Sequence, residues 1–155
     1  MKTTFAGILT TACVLAGPIA AGAQQPANPW PGTRHLVVSK STFRPGPAPK
    51  NRTFVIEMIE GGIKATVSGD EANGTKLNFE YTATFDGKDY PVTGNSGVDA
   101  TSFRRIDVRT LESLRKKSGT LISTMRFVVS SDGKVVTLTE TMADKKPGDV
   151  LVFER

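Results

Sequence analysis

The chain has 155 residues, 38% of them hydrophobic, and 20 Lys and Arg against 15 Asp and Glu give it a formal charge of +5 at pH 7. That length suits one domain able to bury a core without covalent staples, and so modest a charge excess favours anionic surfaces only weakly. The single cysteine, Cys13, lies in a stretch read below as cleaved, which excludes sulfur redox chemistry, a thiol nucleophile and a cysteine metal site from the mature chain.

Residues 1–23 read as a secretory signal. Lys2 supplies the positive start, "FAGILTTACVLAGPIA" the apolar run, and Ala21, Gly22 and Ala23 the small-residue cleavage site. The run is too short, and too broken by Gly17 and Pro18, to span a bilayer, which needs about 20 apolar residues. A lipoprotein reading centred on Cys13 ranks second, because Thr10 stands where leucine is usual and the apolar run continues past the cysteine. The expected location is therefore periplasmic or secreted, with a mature chain that begins near Gln24 and carries +4 once Lys2 is removed. Residues 24–32, "QQPANPWPG", form an extended lead-in with Trp30 as an anchor, and residues 33–155 form a single domain.

In that domain the apolar residues fall into short alternating runs. "HLVVSK" (35–40) is read as the first strand, and "RPGPAPK" (44–50) as a polyproline segment placed to lie across an open sheet edge. "TFVIEMIE" (53–60) sets Phe54, Ile56 and Met58 on one face, and "IKATVSG" (63–69) does the same with Ile63, Ala65 and Val67. In "TKLNFEYTATF" (75–85), Leu77, Phe79, Tyr81, Ala83 and Phe85 alternate with polar residues, a period of two that requires a strand with one buried face. The pattern recurs at 101–108, 120–130, 134–142 and 150–155. Residues 109–117 suit either a helical turn or a strand, and the strand is favoured because a hairpin closing at Ser118-Gly119 needs a partner.

Gly61-Gly62, Asn73-Gly74, Asp86-Gly87, Ser118-Gly119 and Asp132-Gly133 mark the breaks, and such dipeptides supply the positive φ angles of tight hairpins. About nine antiparallel strands joined this way, with no long crossover, form an all-β up-and-down meander. To hide its apolar face the meander closes into a barrel or curls into a half-open one.

"SKSTFRPGPAPK", "YTATFDGKDYPVTGN" and "VVSSDGKVVTLT" resemble a family of small exported bacterial proteins of unassigned activity with lipocalin-like and fatty-acid-binding-protein-like sheets. The resemblance implies a barrel scaffold. Family members commonly open with Gly-Thr-Trp, whereas this chain has "PGTRH", with Arg34 in the tryptophan's place and Trp30 four residues earlier. The Arg-x-Tyr carboxylate clamp of fatty-acid-binding proteins is missing, its positions matching Leu151 and Phe153, and no segment between the first strands has the periodicity of their helical lid.

The expected ligand cavity is lined from Phe54, Ile56, Phe79, Tyr81 and Phe85 in the first half of the domain and from Phe103, Phe127 and Phe153 in the second. Arg105 and Arg126, beside inward aromatics, are candidates to meet an anionic group inside it. "FDGKDYPVTGN" (85–95) is explained mostly by turn chemistry, with Asp86, Lys88, Asp89 and Tyr90 as a candidate cavity rim. The basic run Arg104, Arg105, Arg109, Arg115, Lys116, Lys117 and Arg126 is a candidate face for anionic envelope material.

No catalytic residues, cofactor or metal ligands are assigned. His35 alone cannot form a metal site, and Glu57 and Glu80 cannot act as a carboxylate pair because alternation turns Glu80 to solvent. Nucleic acid and a membrane span are not expected. The leading reading is a carrier of a small apolar or amphipathic ligand. An interaction module using an open edge, the proline segment or the basic face comes second, and an enzyme a distant third.

Overall fold

The structure, a computed structural model, describes residues 28–155, so the signal segment read from residues 1–23 lies outside the described residues. The described residues form ten antiparallel strands: β1 Gly32–Leu36, β2 Asn51–Ile59, β3 Gly62–Asp70, β4 Lys76–Thr84, β5 Tyr90–Gly94, β6 Ala100–Asp107, β7 Thr110–Lys117, β8 Thr120–Val129, β9 Val135–Met142 and β10 Pro147–Glu154. Each strand pairs with its neighbours in sequence, and β1 pairs with β10 to close the barrel. The closing contacts are His35 opposite Glu154 and Leu36 opposite Phe153. Closure matters energetically because an open sheet leaves two rows of unpaired N–H and C=O groups, and a barrel leaves none.

The ambiguous segment 109–117 is strand from Thr110 to Lys117, paired with β6 as far as Lys116 and with β8 as far as Lys117. Ser118 and Gly119 join β7 to β8 with φ of 49° and 76°, the double left-handed turn whose twist matches that of the flanking strands. β1 runs over 32–36 rather than 35–40, and Val38–Lys40 instead makes one turn of 3-10 helix. The sheet has no open edge for the proline segment to cover, since β1 pairs with β2 from Gly32 opposite Ile56 to His35 opposite Thr53. That segment lies instead across one end of the barrel. None of the described helices is long and apolar enough to cross a membrane.

The period of two sorts side chains as the pleat requires. Phe54 and Ile56, Ile63 and Ala65, Tyr81 and Ala83, Met125 and Phe127, and Leu151 and Phe153 are all buried inside. Phe54, Phe103, Phe127 and Phe153 pack edge-to-face or tilted at centroid distances of 5.5–6.3 Å, and Tyr81 stacks on Phe103 at 5.3 Å. Each such fully buried side chain contributes about 1.5–3 kcal/mol.

One end of the barrel is sealed. Trp30, only 1% exposed, belongs to the core although it precedes β1, and its indole N–H donates to the Val108 carbonyl at 2.9 Å. Arg34 is 0% exposed and donates to the carbonyls of Trp30 (2.9 Å), Pro29 (2.9 Å) and Gly133 (2.8 Å). A guanidinium thus ties the incoming chain and the β8–β9 turn to β1, so that Trp30 and Arg34 together plug the barrel.

Candidate functional site

At the other end the core stops short and leaves a cavity of about 180 Å³. Its walls include Phe54, Val67, Phe79, Tyr81, Phe127 and Phe153. Tyr81 is 8% exposed, and its hydroxyl takes part in none of the side-chain hydrogen bonds among the described residues, although it borders the cavity. Burial pushes this phenol well above its ordinary value, with Arg115 partly opposing the shift, so it stays a neutral donor and acceptor.

The mouth is ionic. Arg52 at the start of β2, Glu71 just after β3, Arg115 near the end of β7, Glu140 near the end of β9 and Asp149 near the start of β10 all border the cavity. Arg52 Nη2 pairs with Glu71 Oε1 at 2.7 Å, and Arg115 Nη1 with Glu140 Oε1 at 2.8 Å, an oxygen that also accepts from the Ser123 hydroxyl at 2.6 Å. Asp149 Oδ1 accepts the backbone N–H of Arg44 at 2.6 Å. Burial, then the neighbouring Glu140, push its carboxyl above the ordinary carboxylate value; the Arg44 N–H and the two arginines act in the opposite sense. Among the described residues, Arg52 Nε is buried with no hydrogen-bond partner. A second hollow of about 380 Å³ adjoins this mouth, sharing Arg52, Glu71 and Asp149 and roofed by Phe43, Pro45, Pro47 and Pro49.

Of the residues expected to line a cavity, Phe54, Phe79, Tyr81, Phe127 and Phe153 do so. Ile56 and Phe103 are buried but do not border it, being part of the packed core. Phe85 lies beyond the end of β4 and is half-buried, with the Arg105 guanidinium 4.5 Å above its ring. Arg105 and Arg126 are both exposed and meet no interior group. Arg126 faces out because Met125 and Phe127 hold the inward phase of β8, and Arg105 lies at the sealed end beside a bulge between Arg105 and Asp107, beyond the buried Phe103.

The rim reading of residues 86–90 is also corrected: none of Asp86, Lys88, Asp89 or Tyr90 borders the cavity. The β4–β5 connection belongs to the sealed end and the outer wall. Asp86 accepts from the Lys88 N–H and from the Tyr90 hydroxyl, each at 3.0 Å, while Asp89 pairs with Lys116 at 2.8 Å. Turn chemistry accounts for the stretch. The basic run is likewise not one patch, because Arg115 turns inward to Glu140 and Lys116 is held by Asp89. His35 is exposed, 3.2 Å from the Thr53 hydroxyl.

The mouth residues were missed, yet a signal for them exists. Arg52 keeps the phase of Phe54 and Ile56, Glu71 that of Ala65 and Val67, Arg115 that of Leu111, Glu140 that of Leu138, and Asp149 that of Leu151 and Phe153. Each inward row therefore ends on a charge at the same end of the barrel. Continuing the alternation past the last apolar member, by one step to Arg52, Glu140 and Asp149 and by two to Glu71 and Arg115, reaches all of them.

Fold and cavity define a lipocalin-like up-and-down β-barrel with interior room for a small molecule and an ionic opening at one end. The chain matches no family model, and neither a curated protein nor a solved structure matches it.

Proposed function

We propose that the protein is an exported carrier that holds one small, partly apolar molecule inside the barrel, as its resemblance to small exported lipocalin-like proteins also suggests. The observation that carries this reading is the cavity of about 180 Å³, walled by aromatic side chains and reached through polar groups. An apolar pocket with a few convergent polar groups at one opening is the usual form of a small-molecule site. The same interior could have been filled by larger side chains, and space left unfilled gives up dispersion contacts and stability.

Native mass spectrometry of protein purified from the organism that makes it tests this directly. The expected result is a chain beginning at Gln24 with a reproducible bound mass of at most a few hundred daltons. Leu77→Trp, which adds bulk at the cavity wall, should remove that mass. A clean apo mass, together with no thermal shift across a metabolite panel, would overturn the carrier reading.

A second reading has its own observation. Ile106, Val108 and Val128 are 50%, 63% and 41% exposed, and Arg104, Arg105, Arg109 and Arg126 are exposed close by. Apolar side chains among arginines suit contact with an anionic envelope surface. Co-sedimentation with anionic vesicles, lost on Val108→Asp, tests it; sedimentation equal on neutral vesicles would refute it.

A further inference from the structure

We propose that the barrel selects a small aromatic amine, with the ring in the cavity and the ammonium at the mouth against Asp149 and Glu140. This rests on the carrier reading and names the class of ligand.

The charge inventory of the mouth decides the sign. Three carboxylates, Glu71, Glu140 and Asp149, face two guanidiniums, Arg52 and Arg115. Both guanidiniums are already paired, with Glu71 and with Glu140. Asp149 is the carboxylate left over: among the described residues it has no ion-pair partner and accepts only a backbone N–H. Burial and then Glu140 raise its carboxyl above the ordinary value, against the opposing Arg44 N–H and the more distant charges of Arg52 and Arg115. An anionic head would meet this surplus negative charge and two arginines already in ion pairs, with the buried Arg52 Nε still without a partner among the described residues. A cationic head would supply the missing partner.

The cavity sets size and body. At about 180 Å³ it is close to the apolar cavities of about 150 Å³ that hold one benzene ring, and too small for a long acyl chain. Phe79, Tyr81 and Phe127 line it, and aromatic rings attract cations as well as packing on other rings. The Tyr81 hydroxyl borders the cavity and takes part in no side-chain hydrogen bond among the described residues, which leaves it free to meet a polar ligand atom.

Calorimetric titration at neutral pH with 2-phenylethylamine, 2-phenylethanol and phenylacetate tests the proposal with one ring-and-arm skeleton in three charge states. The amine should bind at least tenfold more tightly than the alcohol, and phenylacetate most weakly. Asp149→Asn should weaken the amine about tenfold to a hundredfold, as for loss of a charged hydrogen bond, and leave the alcohol unchanged. Leu77→Trp should weaken amine and alcohol alike.

Phenylacetate binding as tightly as the amine, or Asp149→Asn leaving the amine preference intact, would overturn the amine assignment. Equal binding of all three would overturn it too while leaving the carrier reading in place. Binding of none would also overturn it, and the native mass measurement would then decide separately whether the protein carries anything.

Discussion

Arg34→Ala is the substitution that most directly tests how the barrel is sealed. The guanidinium is 0% exposed and donates three hydrogen bonds, at 2.8–2.9 Å, to the carbonyls of Pro29, Trp30 and Gly133. Burial, and then Arg155, pull its pKa down to about 10, so it is still charged at neutral pH. Hydrogen bonds from a charged donor contribute about 1.5–3 kcal/mol each, a gross gain of roughly 5–9 kcal/mol for three. Burying the charge costs several kcal/mol in return. Alanine removes the net gain, orphans the carbonyls and leaves a void under Trp30, for an expected loss of about 3 kcal/mol. For a domain of this size that is a fall in melting temperature of about 10 °C. Trp30 is the only tryptophan, so denaturant unfolding followed by its fluorescence reads global stability and the plug together. The expected variant has a lower midpoint and a red-shifted native emission. Arg34→Lys, which keeps the charge but not the forked donor, should fall between. A loss below about 1 kcal/mol with unchanged native emission would refute the idea that this arginine holds the plug.

Other perturbations have equally definite outcomes. A Cβ at Gly62 would stand 2.1 Å from the Ala83 carbonyl oxygen, so Gly62→Ala must part β3 from β4 and should cost about 2–3 kcal/mol by denaturant unfolding. The carboxyls of Asp86 and Asp107 are lowered chiefly by the backbone N–H groups of Lys88 and Arg109, and those of Asp132, Asp144 and Asp70 chiefly by the side chains of Ser130, Lys146 and Lys76. Because the unfolded chain binds these protons more readily, the stability they provide is present above the ordinary value of 3.8 and lost as pH falls through the lowered folded values, which melting curves in acid will show. Asp149 has the opposite sign: its raised carboxyl costs stability as pH rises through its folded value. Asp149→Asn keeps an acceptor for the Arg44 N–H and should melt slightly higher than wild type at neutral pH, by about 0.5 kcal/mol or less, with the advantage gone in acid.

The barrel wall follows from local sequence pattern. Strict alternation over residues 75–85, and a looser one over 120–130 that Ile122 and Val128 interrupt, point to one buried face and therefore strands, and the glycine-bearing dipeptides between runs favour tight antiparallel turns. Since those are local rules of sterics and pleat, the orientation of Phe54, Phe79, Tyr81, Phe127 and Phe153 could be read directly, and even the inward charges of the mouth were legible as continuations of the same phase. Proximity across the barrel was not legible. That β1 meets β10, that Arg34 reaches Gly133 from ninety-nine residues away, and that Asp149 ends up beside Glu140 with no cation of its own all depend on how ten strands close around one axis. Closure also decided where space remains: Trp30 enters one end from outside the strand pattern and fills it, while the other end keeps a cavity because its inward rows finish on charges that stay at the water's edge. Alternation fixes which way a side chain points. Only the closed sheet fixes what it points at.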